Sequence, residues 1–451
     1  MEINLLLAVL SGIAVLLTLI LYFRIPAFIA LLIASMFSGF LAGLNGPEVI
    51  ATVQEGMAST LGVVATIVGL GAMFGAILER SGGAMAVAGF LTRKLGENRA
   101  PLSLVMTGFI VAIPVFFDVA FIILIPLVYA FQKRSKRSIL YYAIPLLAGL
   151  AITHAFIPPT PGPVAVAEIL GADLGWVIAI GLLAGIPTAL VSGLLFGKYI
   201  ARKIYVSSPD LTEHATVDES TLPGVGAIFS IIGVPIVLIL FGTLVKSGMI
   251  PISDAAMLEW IQWIGHPFTA LILANLLAWY ILGIRRGFSA TELLAVTSKS
   301  MAPAGTIILL TGAGGVFKQV LVNTGAGTML AESLTGIGMP MLLFAFVAAA
   351  LIRMIQGSAT VAMITASGLV APLLANTDLS GAQLGCLVIS IASGASILSH
   401  VNDSGFWLVK QYLGMTEKQT LQSWTLMTTI LACTGFVMAC VLWTVVRFAK
   451  V

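Results

Sequence analysis

Gly71-Ala-Met-Phe-Gly-Ala-Ile-Leu-Glu-Arg-Ser-Gly-Gly-Ala84 returns, weakly but in register, as Gly314-Gly-Val-Phe-Lys-Gln-Val-Leu-Val-Asn-Thr-Gly-Ala-Gly327. Two further matches follow in the same order: Asp118-Val-Ala120 falls opposite Thr360-Val-Ala362, and Thr153-His154 opposite Ser399-His400. Gly- and Ala-rich membrane helices resemble one another by composition, so one match would mean little. Matches in order point to a duplicated chain, its apolar half from Leu5 to Lys203 echoed from Gly224 to Val451. Duplicated halves with sites in interrupted helices are the hallmark of secondary transporters.

Composition sets the class. The 451 residues are 59% hydrophobic and only 9% charged, with a mean hydropathy of +1.08. An ordinary soluble domain is about a quarter charged, so this is an integral membrane protein. Long continuous apolar runs, about 20 residues each, read as helices that cross a hydrocarbon core about 30 Å thick and exclude a β-barrel. The first run follows Met-Glu-Ile-Asn without a basic segment or small-residue cleavage site, so it reads as a first helix rather than a signal peptide. Cys386, Cys433 and Cys440 lie in apolar runs without metal or disulfide spacing.

The net charge of +3 matters through its distribution. Arg24, Arg80, Arg93, Lys94, Arg99, the run Lys133 to Arg137, Lys198, Arg202, Lys203, Arg285, Arg286, Lys299, Lys410 and Lys418 can all be put on one side, which the positive-inside rule makes cytoplasmic. Glu48, Glu55, Asp173, Asp254, Glu259 and Asp378 then fall outside. Nothing suggests a nucleic-acid surface.

The first repeat is read as 1–203, with spans at about 4–22, 26–44, 60–78 and 175–197, a re-entrant hairpin at about 100–131 and an interrupted helix at about 138–171. The hairpin turns at Pro114-Val-Phe-Phe-Asp118, and basic residues at both its ends make it enter and leave on the cytoplasmic side. His154-Ala-Phe-Ile-Pro-Pro-Thr-Pro-Gly-Pro163 holds four prolines and cannot be continuous helix. The polar stretch 204–223 is a cytoplasmic linker. The second repeat, 224–451, has spans at about 225–246, 267–284, 303–322 and 421–446, a hairpin at about 339–374 broken at Gln356-Gly-Ser-Ala-Thr360, and an interrupted helix at about 382–413 broken at Ser399-His-Val-Asn-Asp-Ser-Gly405. Each half makes five crossings, an odd number, so the second is inverted relative to the first. The fold expected is an all-α polytopic membrane protein of two inverted-topology repeats.

Non-helical backbone at membrane depth is tolerated only where it is buried in protein or lines a water-filled cavity. Four breaks converging near the midplane would present helix N-termini to an anion such as a carboxylate. Thr153, Thr160, Ser358, Thr360, Ser399, Asn402 and Ser404 suit a polyhydroxylated substrate, although each Ser or Thr alone can simply bond back to its own helix. Asp118, His154, His400 and Asp403 are ionisable groups at membrane depth, costly there and candidates to bind substrate or carry a proton. Asp118 leads for proton coupling; its plainer role is to cap a hairpin arm, and that of His154 to bond a freed carbonyl. Asp403 with nearby carbonyls can alternatively hold sodium. Glu79-Arg80 reads as an interfacial pair and Glu168 as facing water, while Lys318 and Arg353 snorkel outward or draw an anion inward. GxxxxGK[ST], HExxH and CxxC are all absent, so neither ATP-driven transport nor a metal centre is indicated.

The string at 71–84, the proline break at 154–163, Gly357-Ser-Ala-Thr-Val-Ala362 and Asp403-Ser-Gly-Phe-Trp-Leu-Val-Lys-Gln-Tyr412 together resemble the bacterial gluconate:proton symporters, the gluconate permeases, over essentially the whole chain. The resemblance implies a multi-pass protein of the bacterial inner membrane. It would take up gluconate or a related sugar acid on the proton gradient, with no cofactor and with a dimeric, elevator-like relative in the wider ion-transporter superfamily. Members often carry Glu-Val-Gly after the aromatic pair and His in the proline motif, where this chain has Asp118-Val-Ala and Thr160. That departure leaves idonate, fructuronate and D-serine open beside gluconate. The competing readings are a sodium-coupled carboxylate carrier, a passive channel and, remotely, an intramembrane enzyme built on His154, His400 and the two aspartates.

Overall fold

The computed structural model describes residues 2–209, 222–325, 339–374 and 377–449, all-helical and without strands. Most of the 204–223 linker and the last two residues of the echoed stretch lie outside the described residues. In chain order the helices are α1 Glu2–Leu21, α2 Ala27–Leu41, α3 Gly46–Arg80, α4 Gly83–Leu95, α5 Ala100–Val111, α6 Phe117–Ser135, α7 Leu140–Phe156 and α8 Pro161–Leu170. There follow α9 Leu174–Lys203, α10 Val225–Lys246, α11 Ala255–Ile264, α12 Pro267–Arg286 and α13 Ala290–Asn323. The last are α14 Met341–Gln356, α15 Ala359–Leu374, α16 Gly381–Gly394, α17 Ser404–Leu413 and α18 Glu417–Ala449.

Among the described residues, 7 helices are long and apolar enough to cross a membrane. α3 and α13 run 35 and 34 residues, about 50 Å each, well beyond the spans expected at 60–78 and 303–322. The extra turns come from polar sequence that hydropathy passes over but capping fixes. Asn45 accepts from the Glu48 N–H at 3.0 Å while Glu48 accepts from the Asn45 N–H at 2.8 Å, and Ser289 and Glu292 repeat the arrangement at 3.2 and 2.9 Å. α4 and α11 lie between the expected spans. α11 keeps no residue buried and exposes Met257, Trp260 and Trp263, as an interfacial helix does.

The elements stop where the backbone requires it. α7 ends at Phe156 just before Pro158-Pro159, whose bond is cis. α14 ends on Gly357 at φ 87°, a left-handed position that glycine adopts without strain. The interrupted pair α7–α8 forms the centre, 83% of its apolar window being buried, while α18 at 28% lies on the outside.

Small residues bring the backbones together. A Cβ on Gly108 of α5 would come within 2.5 Å of the Leu146 carbonyl of α7, and one on Gly56 of α3 would come 2.6 Å from the Val316 Cα of α13. Gly56→Ala therefore forces two backbones apart and should destabilise the protein by about 1–3 kcal/mol, despite the higher helix propensity of alanine. Gly62→Ala, with nothing within 4 Å of its new Cβ, should leave the thermal midpoint in detergent unchanged or raise it slightly. Equal midpoints for the two variants would refute the α3–α13 contact.

Candidate functional site

The four chain breaks meet around one cavity of about 590 Å3. The helices that restart after the breaks, α6, α8, α15 and α17, all begin at its wall, contributing Phe117 and Asp118, Gly162, Ala359 and Thr360, and Ser404 and Gly405. Their first-turn N–H groups are orphan donors at the positive end of each helix. The four ends differ in what remains available.

α15 and α17 are capped: Ser358 accepts from the Val361 N–H at 3.4 Å and Asp403 from the Gly405 N–H at 3.1 Å. α8 has few donors, because Pro161 and Pro163 in its first turn lack an N–H. α6 has no side-chain cap at all. Asp118 occupies its first turn and is exposed to the cavity. The α6 end is fixed by the turn before it, since Pro114 rests on α3 where a Cβ on Gly75 would come within 2.0 Å of the Pro114 carbonyl.

Asp403 is held firmly. One carboxylate oxygen accepts from Arg353 and from the Ser399 hydroxyl, and the other from Gly405. Arg353 is 4% exposed, so it is a buried cation and does not snorkel outward. Its chain position in an apolar run points toward lipid, but its partner fifty residues away draws it inward. Ser399 in turn accepts from the Trp424 indole N–H at 2.6 Å. The two carboxylates, Asp118 and Asp403, repel across the cavity, and Arg353 neutralises only the second.

Of the residues singled out in the sequence, Asp118, His154, Ser358, Thr360, Asn402, Asp403 and Ser404 line the cavity. Thr153, Thr160 and Ser399 do not, because their hydroxyls are already engaged. Thr153 donates to the Phe109 carbonyl at 2.9 Å and Thr160 to the Ile157 carbonyl at 2.6 Å, while Ser399 joins Asp403 to Trp424. His400 is also outside the lining; its Nε2 lies 3.0 Å from the Met354 carbonyl at the end of α14. Asn402 donates to the same carbonyl at 3.0 Å. Glu79 and Arg80 are not each other's partners: Arg80 pairs with Glu292 at 3.9 Å and lies over the Phe288 ring. Lys318 and Glu168, both half-buried, attract one another.

The sequence reading missed Phe116, Gln356, Ser396, Trp424 and Thr428, which also line the cavity. Gln356 stood in the quoted break but drew no role. Among the described residues its Oε1 and the Nδ1 of His154 are buried without a hydrogen-bond partner. Phe116 meets His154 edge-on, ring centroids 6.2 Å apart. The cavity can therefore receive a small polar solute, with hydroxyl, amide and imidazole groups around it and one unneutralised carboxylate.

A family model described as GntP family permease matches residues 3–446. The low-affinity gluconate transporter of Escherichia coli K12 is 41% identical over 432 residues, covering 96% of either chain. The gluconate permease of Pseudomonas aeruginosa is 40% identical over 427 residues, 94% of either chain. The Gnt-II system L-idonate transporter of E. coli K12 is 35% identical over 426 residues, 94% of this chain and 96% of that one. Among solved structures, the Alcanivorax borkumensis YdaH transporter superposes with a TM-score of 0.66 at 15% identity, covering 94% of this chain and 98% of its own. Neisseria gonorrhoeae MtrF gives 0.65 at 13% identity over 92% and 94%. At those identities the likeness is one of fold.

Breaking a buried ion pair strands a charge and costs about 3–5 kcal/mol. Arg353→Met and Asp403→Asn should each lower the thermal midpoint in detergent, and the double variant should lose less than the two singles together. Strict additivity would show that the two groups do not act as a pair.

Proposed function

The chain belongs to the GntP family of permeases, multi-pass transporters and not enzymes, and on that premise we propose that it imports gluconate or a closely related sugar acid with a proton across the bacterial inner membrane. The observation that carries the coupling is Asp118. With Asp403 balanced by Arg353, it is the one carboxylate on the cavity wall without a neutralising cation among the described residues.

A substrate carboxylate arriving about 5 Å from ionised Asp118 meets a repulsion of about 3 kcal/mol at an effective dielectric of about 20. A proton on Asp118 removes that repulsion. It also frees the uncapped first turn of α6 from its own negative charge, leaving the N–H donors of that turn for the substrate. Ser358, Thr360, Asn402 and Ser404 would then meet the sugar hydroxyls, and His154 and Gln356 offer buried polar atoms still without partners. One proton moving down about 100 mV supplies about 2.3 kcal/mol, enough for about fiftyfold accumulation.

Sodium coupling rested on Asp403, whose oxygens are taken by Arg353, Ser399 and Gly405. The proton reading does not compete with those contacts. The same proposal takes 1–203 and 224–451 as inverted repeats. Its support is the near-equal lengths and matching capping boxes of α3 and α13, and the two breaks in each half.

Reconstituted in liposomes, the protein should accumulate labelled gluconate only under an inward proton gradient, with no response to sodium. Asp118→Asn, which imitates the protonated side chain, should keep gluconate counterflow and lose gradient-driven accumulation. Accumulation equal to wild type would make Asp118 structural and pass the role to His154. Accumulation driven by sodium would refute proton coupling.

A further inference from the structure

A second cavity, of about 370 Å3, adjoins the first and shares Phe116, Val119 and Pro303 with it. Its walls are the C-terminal part of α3, with Glu79 and Arg80, and the N-terminal half of α13, with Lys299 and Ser300. We infer that this vestibule is an anion subsite, in which Lys299 attracts the substrate carboxylate on its passage between the inner cavity and the basic face of the protein. The inference rests on the sugar-acid reading for the identity of the anion.

α3 and α13 lie side by side, but their two ends differ. At the end away from the vestibule they touch: a Cβ on Gly56 would meet the Val316 backbone at 2.6 Å and one on Gly315 would meet the Thr60 hydroxyl at 2.0 Å. There Asn323 of α13 donates to Thr52 at 3.0 Å and to Glu55 at 3.4 Å, tying the helices together. Toward the Lys299 end the vestibule lies against both helices, which Arg80 and Glu292 bridge again at 3.9 Å. The inner cavity thus adjoins the vestibule, near the end of the helix pair that carries Arg80, Arg286 and Lys299. Arg286 binds the Ser81 carbonyl at 2.5 Å there.

The charges of the vestibule divide unequally. Arg80 is engaged, paired to Glu292 and stacked over Phe288. Lys299 is exposed and, among the described residues, has no carboxylate within 4.0 Å, though it feels the charge of Glu79. An ammonium is a strongly hydrated point charge that forms no rigid bidentate fork, so it attracts a carboxylate without holding it fast. That suits a transit subsite. Glu79 shares the vestibule and offsets part of that attraction, and the inner cavity carries an unneutralised carboxylate, so an anion drawn in by Lys299 reaches a site that accepts it only once the proton is in place. Attraction at an exposed lysine is screened over about 8 Å at physiological salt, so its effect must fall as salt rises.

The test has one arm that needs no transport. Ser300→Cys is introduced with Cys433→Ser and Cys440→Ser, Cys386 being buried. In inverted membrane vesicles, an anionic methanethiosulfonate should outpace a cationic one at low salt. Lys299→Gln should lower that rate ratio about threefold or more, and high salt should abolish the difference. The second arm is gluconate counterflow measured from each face. Lys299→Gln should raise the half-saturating concentration several-fold at the basic face alone, and Lys299→Arg should restore it. An unchanged labelling ratio, or equal shifts at both faces, overturns the subsite. A shifted labelling ratio in a protein that exchanges no gluconate supports the anion subsite and overturns the sugar-acid reading.

Discussion

Backbone that leaves the helix inside a membrane must find its hydrogen bonds within the protein, because lipid offers none. Around the cavity, among the described residues, this chain leaves the helix four times, and the rest of the structure follows from how those breaks are satisfied. The Ile157 carbonyl is met by Thr160, the Phe109 carbonyl by Thr153, and the Met354 carbonyl by Asn402 and His400. The backbone of Ser399 is held from both sides by Thr425 and Thr428. The break at 154–163 is closed partly from within, by Thr160, and the others by groups from another break or a neighbouring helix, which draws them to one place. The cavity is what remains between them.

The same requirement sorts the polar residues. A hydroxyl that donates to a carbonyl freed at a break is withdrawn from the cavity, and one that does not faces it, Ser358 included, which only accepts from the Val361 N–H. Thr153 and Thr160 belong to the first group, Ser358, Thr360 and Ser404 to the second, and Asn402 serves both, its amide on α14 and its body on the cavity wall. This is why the location of the site was legible in the sequence and its membership was not. Prolines, glycines and interrupted hydropathy mark a break from local sequence alone, and they led to the all-α polytopic fold and to the family. Whether a hydroxyl has a partner depends on residues far along the chain: Phe109 lies 44 positions from Thr153, and Asp403 lies 50 from Arg353. The long polar starts of α3 and α13 and the surface helix α11 were missed for another reason. They owe their helicity to caps and to an interface rather than to a continuous apolar run.

The sequence echo between the halves stops short of charge. Asp118 stands opposite Thr360 in the repeat, and His154 opposite His400, yet one histidine lines the cavity and the other caps a helix end. The two halves therefore present unlike chemistry to a common space. The first half brings a carboxylate with no neutralising partner; the second brings a carboxylate locked to a buried arginine, with the hydroxyls and the amide.

A buried ion pair is weak evidence for stability, since desolvation offsets much of its attraction. Its consequence here is positional. Arg353 sits on α14 and Asp403 at the start of α17, so the pair ties those two helices together in the protein interior. Ser399 and Trp424 extend the tie to α18. With Asp403 fixed in charge and place, the electrostatics of the cavity vary through Asp118 and the solute. In the proposed cycle a proton on the carboxylate that lacks a cation cancels its charge and the incoming anion restores it, so the site never holds two unneutralised carboxylates at once. That is the minimum that coupling an anion to a proton requires.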